Sequence, residues 1–333
     1  MARRAVDNLV ADGLQVVLTT HSPYFVDLAR PENLVLVRKQ DGEATEAVQR
    51  SRGELRSELV ARGADAIRTQ PETIGPFYAA SATTEIVSGL FARRCVLVEG
   101  PTEALALPGL LRTRGVDVLQ LGIAVVSVEG IGNIAKWYRL YTALGIQCYC
   151  IFDTDSNKTG TDARSLLLKR RDIMSAIGQD SAKAEAAFLS SEPLAVRERH
   201  ATLNPNFEAA AARLFGSQWL QLLDEAVPVV GDSKPLQARY AAERLDTAQF
   251  TPIAGPALDA LARRVCGGLS DRGGGPTEND SLGAAAGARG KAAPLQTSSS
   301  DSWEATSDPW ASPTAPPPWV DGAEASRSDE PPF

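Results

Sequence analysis

Two apolar runs that each end at a pair of carboxylates constrain the fold of this 333-residue chain more than any other feature. The first run leads into Glu99 and Glu103, and the second, later in the chain, leads into Asp153 and Asp155. Both runs are rich in β-branched and other apolar residues, which is typical of buried strands in an α/β sheet. Because residues just past the carboxyl ends of parallel strands line the crevice where ligands bind, we expect these four carboxylates at one edge of the sheet.

Four carboxylates at one edge raise one another's pKa unless a cation neutralises them. Hard divalent ions prefer such oxygen ligands, and two of them can polarise a phosphoryl oxygen, ready a water for attack and stabilise a leaving oxygen. The pattern therefore predicts a site for two Mg²⁺ or Mn²⁺ ions. An EF-hand calcium loop from Asp153 is disfavoured, since Lys158 and Arg164 stand where it needs Gly and Glu. Ordinary turn carboxylates remain the alternative.

Three motifs carry a resemblance to a known family: Glu99-Gly-Pro-Thr-Glu103, Val128-Glu-Gly-Ile-Gly-Asn133 and Asp153-Thr-Asp155. Together they resemble the Toprim domain, and above all its branch in the OLD-family nucleases, over roughly residues 88 to 245. The resemblance implies a metal-dependent DNA endonuclease, of the kind used in DNA repair or phage defence, with DNA as its partner and a homodimer as one assembly.

The same resemblance implies two further site residues. Glu208, in Asn206-Phe-Glu208, would be a ligand for a second ion, although a surface glutamate on a helix is an equal alternative. Lys234, which precedes Pro235, would lie near the scissile phosphate, where an ammonium stabilises charge that develops in the transition state. Without the family context it would be an ordinary lysine at the start of a helix.

The amino-terminal segment Leu14 to Phe25 has the composition of a buried strand that runs into a polar turn, and the next strand is predicted at Asn33 to Arg38. The segment resembles the switch-histidine region of ABC-type ATPases, in which His21 would reach towards the γ-phosphate of ATP; a capping histidine in a turn is the alternative. The chain has no Gly-x-x-x-x-Gly-Lys-Ser/Thr loop. We therefore expect no ATP hydrolysis from this chain alone, and either a separate ATPase partner or a truncated coding frame.

The predicted fold class is α/β, a Toprim-like parallel sheet flanked by helices, because strand-like and helix-like segments alternate. The predicted strands are Cys95–Glu99, Ala124–Glu129 and Gln147–Asp153, and the predicted helices between them are Thr102–Thr113 and Ile134–Leu144. We predict four parts: an ATPase remnant (1–45), a helical connector (46–91), the Toprim nuclease domain (92–265), and a disordered, acidic, Pro/Gly/Ser-rich tail (266–333).

Composition narrows the function classes. No apolar run is long enough for a membrane span, and four cysteines without Cys-x-x-Cys spacing, beside two histidines, make a zinc site improbable. We expect a cytoplasmic protein. The basic cluster Lys169 to Arg171 could meet a phosphate backbone, although a solvated helix face is the commoner explanation.

The tail carries most of the net charge of −7, with ten acidic and four basic residues from Gly267 onwards. Its end, Ser328 to Phe333, resembles the tip of bacterial single-stranded-DNA-binding proteins, which implies docking on replication or repair enzymes. A solubilising tail is the alternative. For the whole chain, the alternatives to a nuclease are a non-catalytic DNA-binding or regulatory remnant and a Toprim primase or topoisomerase.

Overall fold

The computed structural model describes residues 2–39, 44–180 and 190–267. The predicted tail, apart from its first two residues, lies outside the described residues. Within these ranges the helices are α1 Ala2–Ala11, α2 Arg52–Ala61, α3 Pro71–Ala79, α4 Thr84–Ser88, α5 Pro101–Arg112, α6 Ile131–Ala143, α7 Gly160–Ala176, α8 Phe207–Phe215, α9 Ser217–Val230, α10 Lys234–Arg244 and α11 Ala254–Cys266. The strands are β1 Leu36–Arg38, β2 Glu46–Val48, β3 Arg94–Val98, β4 Ile123–Ser127, β5 Gln147–Asp153, β6 Leu194–Val196 and β7 His200–Leu203.

The main sheet has five strands in the order β4-β3-β5-β7-β6. The first four are parallel, as the alternation of strands and helices predicts. The predicted parallel sheet is therefore confirmed, and the fifth strand adds a feature that was not predicted, because β6 pairs antiparallel with β7. Only residues 197–199 separate these two strands, and so short a link permits a hairpin but not the crossover that a parallel pair requires.

Strand β3 lies inside the sheet and is covered on both faces. Cys95 and Leu97 belong to one hydrophobic core, and Val96 and Val98 belong to the other. This division follows from the two-residue period of a strand, which sends successive side chains to opposite faces. The near-continuous apolar run is therefore the pattern that a doubly covered parallel strand requires.

The first core joins the sheet to α6 and α7 and also to the predicted connector 46–91. Trp137 of α6 and Phe152 of β5 are fully buried in it, together with Leu55 of α2 and Tyr78 of α3. The Tyr78 hydroxyl donates a hydrogen bond to the backbone oxygen of Lys136 (3.1 Å). The connector and the sheet thus share one core.

The second core lies on the opposite face, under α5 and α8 to α11. Phe207, Phe215 and Trp219 form an aromatic group in it. Gly109 of α5 lies against Ala242 of α10, and a Cβ at Gly109 would stand 2.9 Å from the Ala242 backbone carbon. The small residues therefore allow these two helices to pack in close contact.

The amino-terminal prediction is wrong in one respect. Residues 14–22 form no strand, and a short 3₁₀ turn follows at Pro23–Phe25. Val17 is 85% exposed, which a buried strand would not allow. The predicted strand at 33–38 shortens to Leu36–Arg38, since Pro31–Asn33 forms another 3₁₀ turn.

No helix in the described ranges is long and apolar enough to cross a membrane.

Candidate metal centre at the carboxyl edge of the sheet

Adjacent strands bring the first two candidate carboxylates together. Strands β3 and β5 are parallel neighbours, with Val98 opposite Ile151, so both end at the same edge of the sheet. Glu99 directly follows β3 and Asp153 ends β5. The backbone N–H of Asp153 donates a hydrogen bond to Oε1 of Glu99 (2.7 Å).

Glu103 occupies the first turn of α5, which begins directly after Gly100. Its Oε2 accepts a hydrogen bond from the Gly100 backbone N–H (3.2 Å), the contact that a third-position glutamate makes in a capping box. The residue is buried, and burial raises the pKa of its carboxyl, with the charge of Glu208 adding to the effect. Helix initiation therefore explains why Glu103 points back to the strand end.

Asp153 is the most perturbed carboxyl of the group. Its pKa is raised to about 9, most by burial and then, in decreasing order, by the charges of Glu99, Glu103, Asp155 and Glu208. Its Oδ1 is buried and has no hydrogen-bond partner among the described residues. A buried oxygen without a partner costs free energy unless a proton or a cation satisfies it.

Glu99 is perturbed in the same direction. Its pKa is raised to about 7, most by burial and also by the charges of Glu103 and Asp155, against the lowering effects of the Asp153 N–H and of Arg170. Two neighbouring carboxyls thus have pKa values near or above neutrality, which is characteristic of sites that bind charge or transfer protons.

The loop after β5 is fixed by the segment after β7. Asp155 has a left-handed backbone, with φ of 45°, and its N–H donates to the Pro205 oxygen (2.6 Å). The buried Thr154 donates its N–H to the Leu203 oxygen (2.8 Å) and its hydroxyl to Oδ1 of Asn204 (3.0 Å). These bonds hold Asp155 at the edge despite its uncommon backbone conformation.

Glu208 reaches this edge from a third element. Helix α8 begins just after the Asn204-Pro205 segment, and Oδ1 of its N-cap, Asn206, accepts the Ala209 N–H (2.9 Å). Glu208 lies in the first turn and is exposed. Its charge acts on both Asp153 and Glu103, so it lies close to the carboxylates rather than on a remote surface.

Lys234 begins helix α10, which packs along α5. Ala242, in the last turn of α10, meets Gly109 in the second half of α5. Just beyond α10, the Thr251 N–H donates to the Leu214 oxygen near the end of α8 (3.3 Å). Since α5 and α8 both begin at the carboxylate edge, these contacts turn the start of α10, with the exposed Lys234, towards that edge.

The glycine-containing loop after β4 completes the edge. The Gly130 N–H donates to the backbone oxygen of Glu99 (2.7 Å). Gly130 has φ of 111°, a conformation that residues with a Cβ rarely adopt. Glu129 before it has φ of 60°, so the turn is tight at both positions.

The sequence interpretation named Arg170 only as a member of a basic cluster and did not predict that it lies near these carboxylates. It lies on α7 and is half-buried, one turn from both Leu166 and Ile173 on the buried face of that helix. Its pKa is lowered by burial and raised by the charges of Asp155 and Glu99. The signal was available, because a charged residue at helical spacing within an apolar stripe points inwards.

His21 lies elsewhere. It is exposed and its ring packs against Phe91, with centroids 5.9 Å apart. Phe91 precedes β3, so this contact is near the amino end of the strand whose carboxyl end leads to Glu99. The structure therefore does not bring His21 together with the carboxylates.

The side chains are not arranged as a finished ligand cage. In the described ranges, no group of three or more His, Cys, Asp or Glu side chains forms a ready metal site. The hydrogen bonds explain this, since Glu99 and Glu103 each direct an oxygen to a backbone N–H. The donor set still fits hard divalent ions, because it is all carboxylate and leaves Oδ1 of Asp153 unsatisfied.

Comparison with known proteins finds a family that is similar to part of this chain. Residues 90–155 match the family described as overcoming lysogenization defect protein-like, TOPRIM domain. The OLD nuclease of Thermus scotoductus (strain ATCC 700910 / SA-01) is 35% identical over 144 residues, which make up 43% of this chain and 25% of that protein. The chain thus matches about a quarter of the length of this relative.

Two solved structures are also similar. The C-terminal region of the Burkholderia pseudomallei OLD protein is 18% identical with a TM-score of 0.39, covering 54% of this chain and 100% of that one. The C-terminal region of the Xanthomonas campestris pv. campestris OLD protein is 16% identical with a TM-score of 0.38, covering 53% and 97%. At these TM-scores neither similarity adds to the fold described above.

Proposed function

Since residues 90–155 match the OLD-like TOPRIM family, we propose that this chain is a DNA endonuclease that hydrolyses phosphodiester bonds with two Mg²⁺ or Mn²⁺ ions. The observation that carries the proposal is the buried Oδ1 of Asp153, which has no partner among the described residues and lies within a group of carboxyls that raise its pKa. A cation at this position would lower the free energy of the ionised group.

The residues that would hold the ions share one edge of the sheet and one ligand chemistry. They are Glu99, Glu103, Asp153, Asp155 and Glu208. When bound, such ions polarise a phosphoryl oxygen and make a water or hydroxide available at neutral pH. The turn at Asp155 would hold the carboxylate of that residue in place before the substrate arrives. The hydrogen bond from the Asp153 N–H would do the same for the carboxylate of Glu99.

Lys234 would stabilise the negative charge that develops on the phosphoryl group. Support comes from the direction of α10, whose first turn lies towards the carboxylates. In this proposal the protein acts on DNA in the cytoplasm. A second copy of the chain and a separate ATPase are its proposed partners, and His21 would face ATP in such an assembly.

Plasmid nicking tests the proposal. Purified chain is incubated with supercoiled plasmid and Mg²⁺ or Mn²⁺, beside Asp153→Ala and the matched control Asp224→Ala, which removes an exposed acid on α9. We expect nicking by the parent chain and the control, and loss of nicking in Asp153→Ala. A parent chain that binds Mn²⁺ but never nicks DNA would contradict the proposal.

A non-catalytic DNA-binding or regulatory role is the second candidate. Its support is that Glu99 and Glu103 are engaged with backbone donors. Calorimetric titration with Mn²⁺ separates the two functions. A catalytic site should bind the ion in the parent chain and lose that binding in Asp153→Ala, whereas a remnant should bind DNA without either response.

A further inference from the structure

We propose that Arg170 binds a phosphate of the DNA backbone beside the metal-binding carboxylates, from the α7 side of the sheet edge. The inference rests on the proposed function, since it names a contact between that site and its substrate. It concerns one member of the basic cluster Lys169 to Arg171, for which the sequence left both a phosphate contact and a solvated helix face open.

The direction of Arg170 is fixed by how α7 packs. Leu166 and Ile173 on the same face of the helix are buried in the first core. The buried Arg139 of α6 donates a hydrogen bond to the carboxylate of Asp172 on α7 (2.5 Å), which holds the two helices together. Because the helix cannot rotate about its axis without breaking these contacts, Arg170 stays on the inward face.

The inward face of α7 meets the carboxylate edge at Arg170. The guanidinium lies close enough to Glu99 and Asp155 for their charges to act on it, and its own charge acts on Glu99. A half-buried arginine is only partly hydrated, and its burial is unfavourable unless it faces a negative charge. The carboxylates supply that charge within the protein, and a phosphodiester supplies it in the complex.

The charge balance of the site leaves a place for a phosphate. Two divalent ions would neutralise four of the five carboxylates, and a phosphodiester adds one negative charge, so two negative charges would remain. Arg170 would supply one of the two matching positive charges, in a planar, two-pronged form that suits phosphate oxygens, and Lys234 would supply the other. Without such a cation, the phosphate would approach a site whose rim is carboxylate.

Two neighbours extend the contact into a track. The stem of Lys169 lies against Gly132 in the first turn of α6, with Cε 3.7 Å from the place a Cβ would occupy. On the other face of the sheet, Lys234 begins α10. Cations therefore flank the carboxylate edge on both sides, so a DNA strand that crosses the strand ends would meet one on each.

DNA binding measured by fluorescence anisotropy tests the inference without relying on cleavage. The full chain is titrated with labelled DNA in Ca²⁺ at several salt concentrations, beside Arg170→Gln, Arg170→Lys and Arg112→Gln. Arg112 is exposed at the far end of α5 and gives the same charge change away from the edge. Circular dichroism checks that each variant is folded, and Arg170→Lys serves if Arg170→Gln is not.

We expect Arg170→Gln to weaken binding about tenfold and to reduce the slope of log K against log salt by about one. Arg170→Lys should keep the slope while binding more weakly, because it retains the charge without the fork. Arg112→Gln should match the parent chain.

An unchanged salt slope in Arg170→Gln, with tighter Mn²⁺ binding by calorimetry, would overturn the inference and leave Arg170 as a counter-charge to the carboxylates. Failure of the proposed function gives a different result. A parent chain that cuts no DNA, but whose salt slope still depends on Arg170, would sink the nuclease and retain the phosphate contact.

Discussion

Two valine- and leucine-rich runs of this chain have similar composition and opposite fates. The run ending at Val98 lies between two parallel strands, and its Val96 and Leu97 are fully buried. The run from Leu14 is irregular, and its Val17 is 85% exposed. The difference lies in the neighbours, since β-branched residues favour a strand only where adjacent strands and a packed face receive them.

The comparison extends to function. The buried run ends at a carboxylate whose position is fixed by hydrogen bonds across the sheet. The exposed run ends at His21, which contacts one aromatic ring and lies near the opposite end of β3. Ordered neighbours therefore fix the carboxylate that follows the first run, and the predictions below test whether the two regions differ as sharply in solution.

The largest effect should be on cleavage. Glu99→Gln removes a proposed metal ligand at the end of the buried run, and we expect nicking to fall about 10³-fold, as a loss of several kcal/mol of transition-state stabilisation implies. His21→Gln should leave nicking by this chain unchanged. Initial rates on supercoiled plasmid in Mn²⁺ measure both, and a comparable loss in the two variants would abolish the functional contrast.

A smaller effect should appear in stability. Leu97→Ala creates a cavity in the first core, and we expect the free energy of unfolding to fall by about 3 kcal/mol. Val17→Ala deletes the same kind of group from an exposed position and should change it by less than about 0.5 kcal/mol. Urea unfolding followed by circular dichroism measures both. A large loss from Val17→Ala would mean that the amino-terminal segment is packed in solution.

A further effect, of similar size, concerns pH. The pKa of Asp153 is raised in the fold to about 9 from its ordinary 3.8, and that of Glu99 to about 7 from 4.5. Between these values the folded chain holds protons that the unfolded chain releases, so stability should fall as pH rises through this window. In EDTA we expect a lower Tm at pH 8 than at pH 6.

Substitution and metal addition sharpen the pH prediction. Asp153→Asn should flatten the decline between pH 6 and pH 8, because the amide does not titrate, while Asp224→Asn should leave it as it is. Mn²⁺ should raise the Tm of the parent chain at pH 8 by binding the folded form, and should raise it much less in Asp153→Asn. Identical pH profiles for all three proteins would remove Asp153 as the source of the effect.

Local pattern predicts the centre of this molecule well. The strand predicted at Gln147–Asp153 has those bounds, and the strand predicted at Cys95–Glu99 lies one residue from Arg94–Val98. Helix α6 begins at Ile131 rather than Ile134, because Gly130 with its positive φ forms the turn that starts it. Helix starts of this kind depend on a backbone conformation that composition alone does not reveal.

What the sequence did not predict depends on contacts between distant segments. Residues 194–196 form strand β6 because they pair with β7. A segment of three residues is too short for its periodicity to predict that pairing. Arg170 belongs to the site because α7 is held against α6 by Arg139. A run of basic residues looks the same in sequence whether one member points inwards or all face water.

The Glu99 carboxylate accepts a hydrogen bond from the Asp153 amide, and in the proposed site it would also bind an ion. An ion that binds both oxygens of Glu99 would compete with the Asp153 amide, the last of β5, for that carboxylate. Ion binding would then weaken the hydrogen bond and reduce the protection of this amide against hydrogen exchange. By reciprocity, the hydrogen bond would weaken ion binding by the same free energy. A substitution that strengthens this hydrogen bond at the end of β5 would therefore weaken ion binding, although it changes none of the ligands.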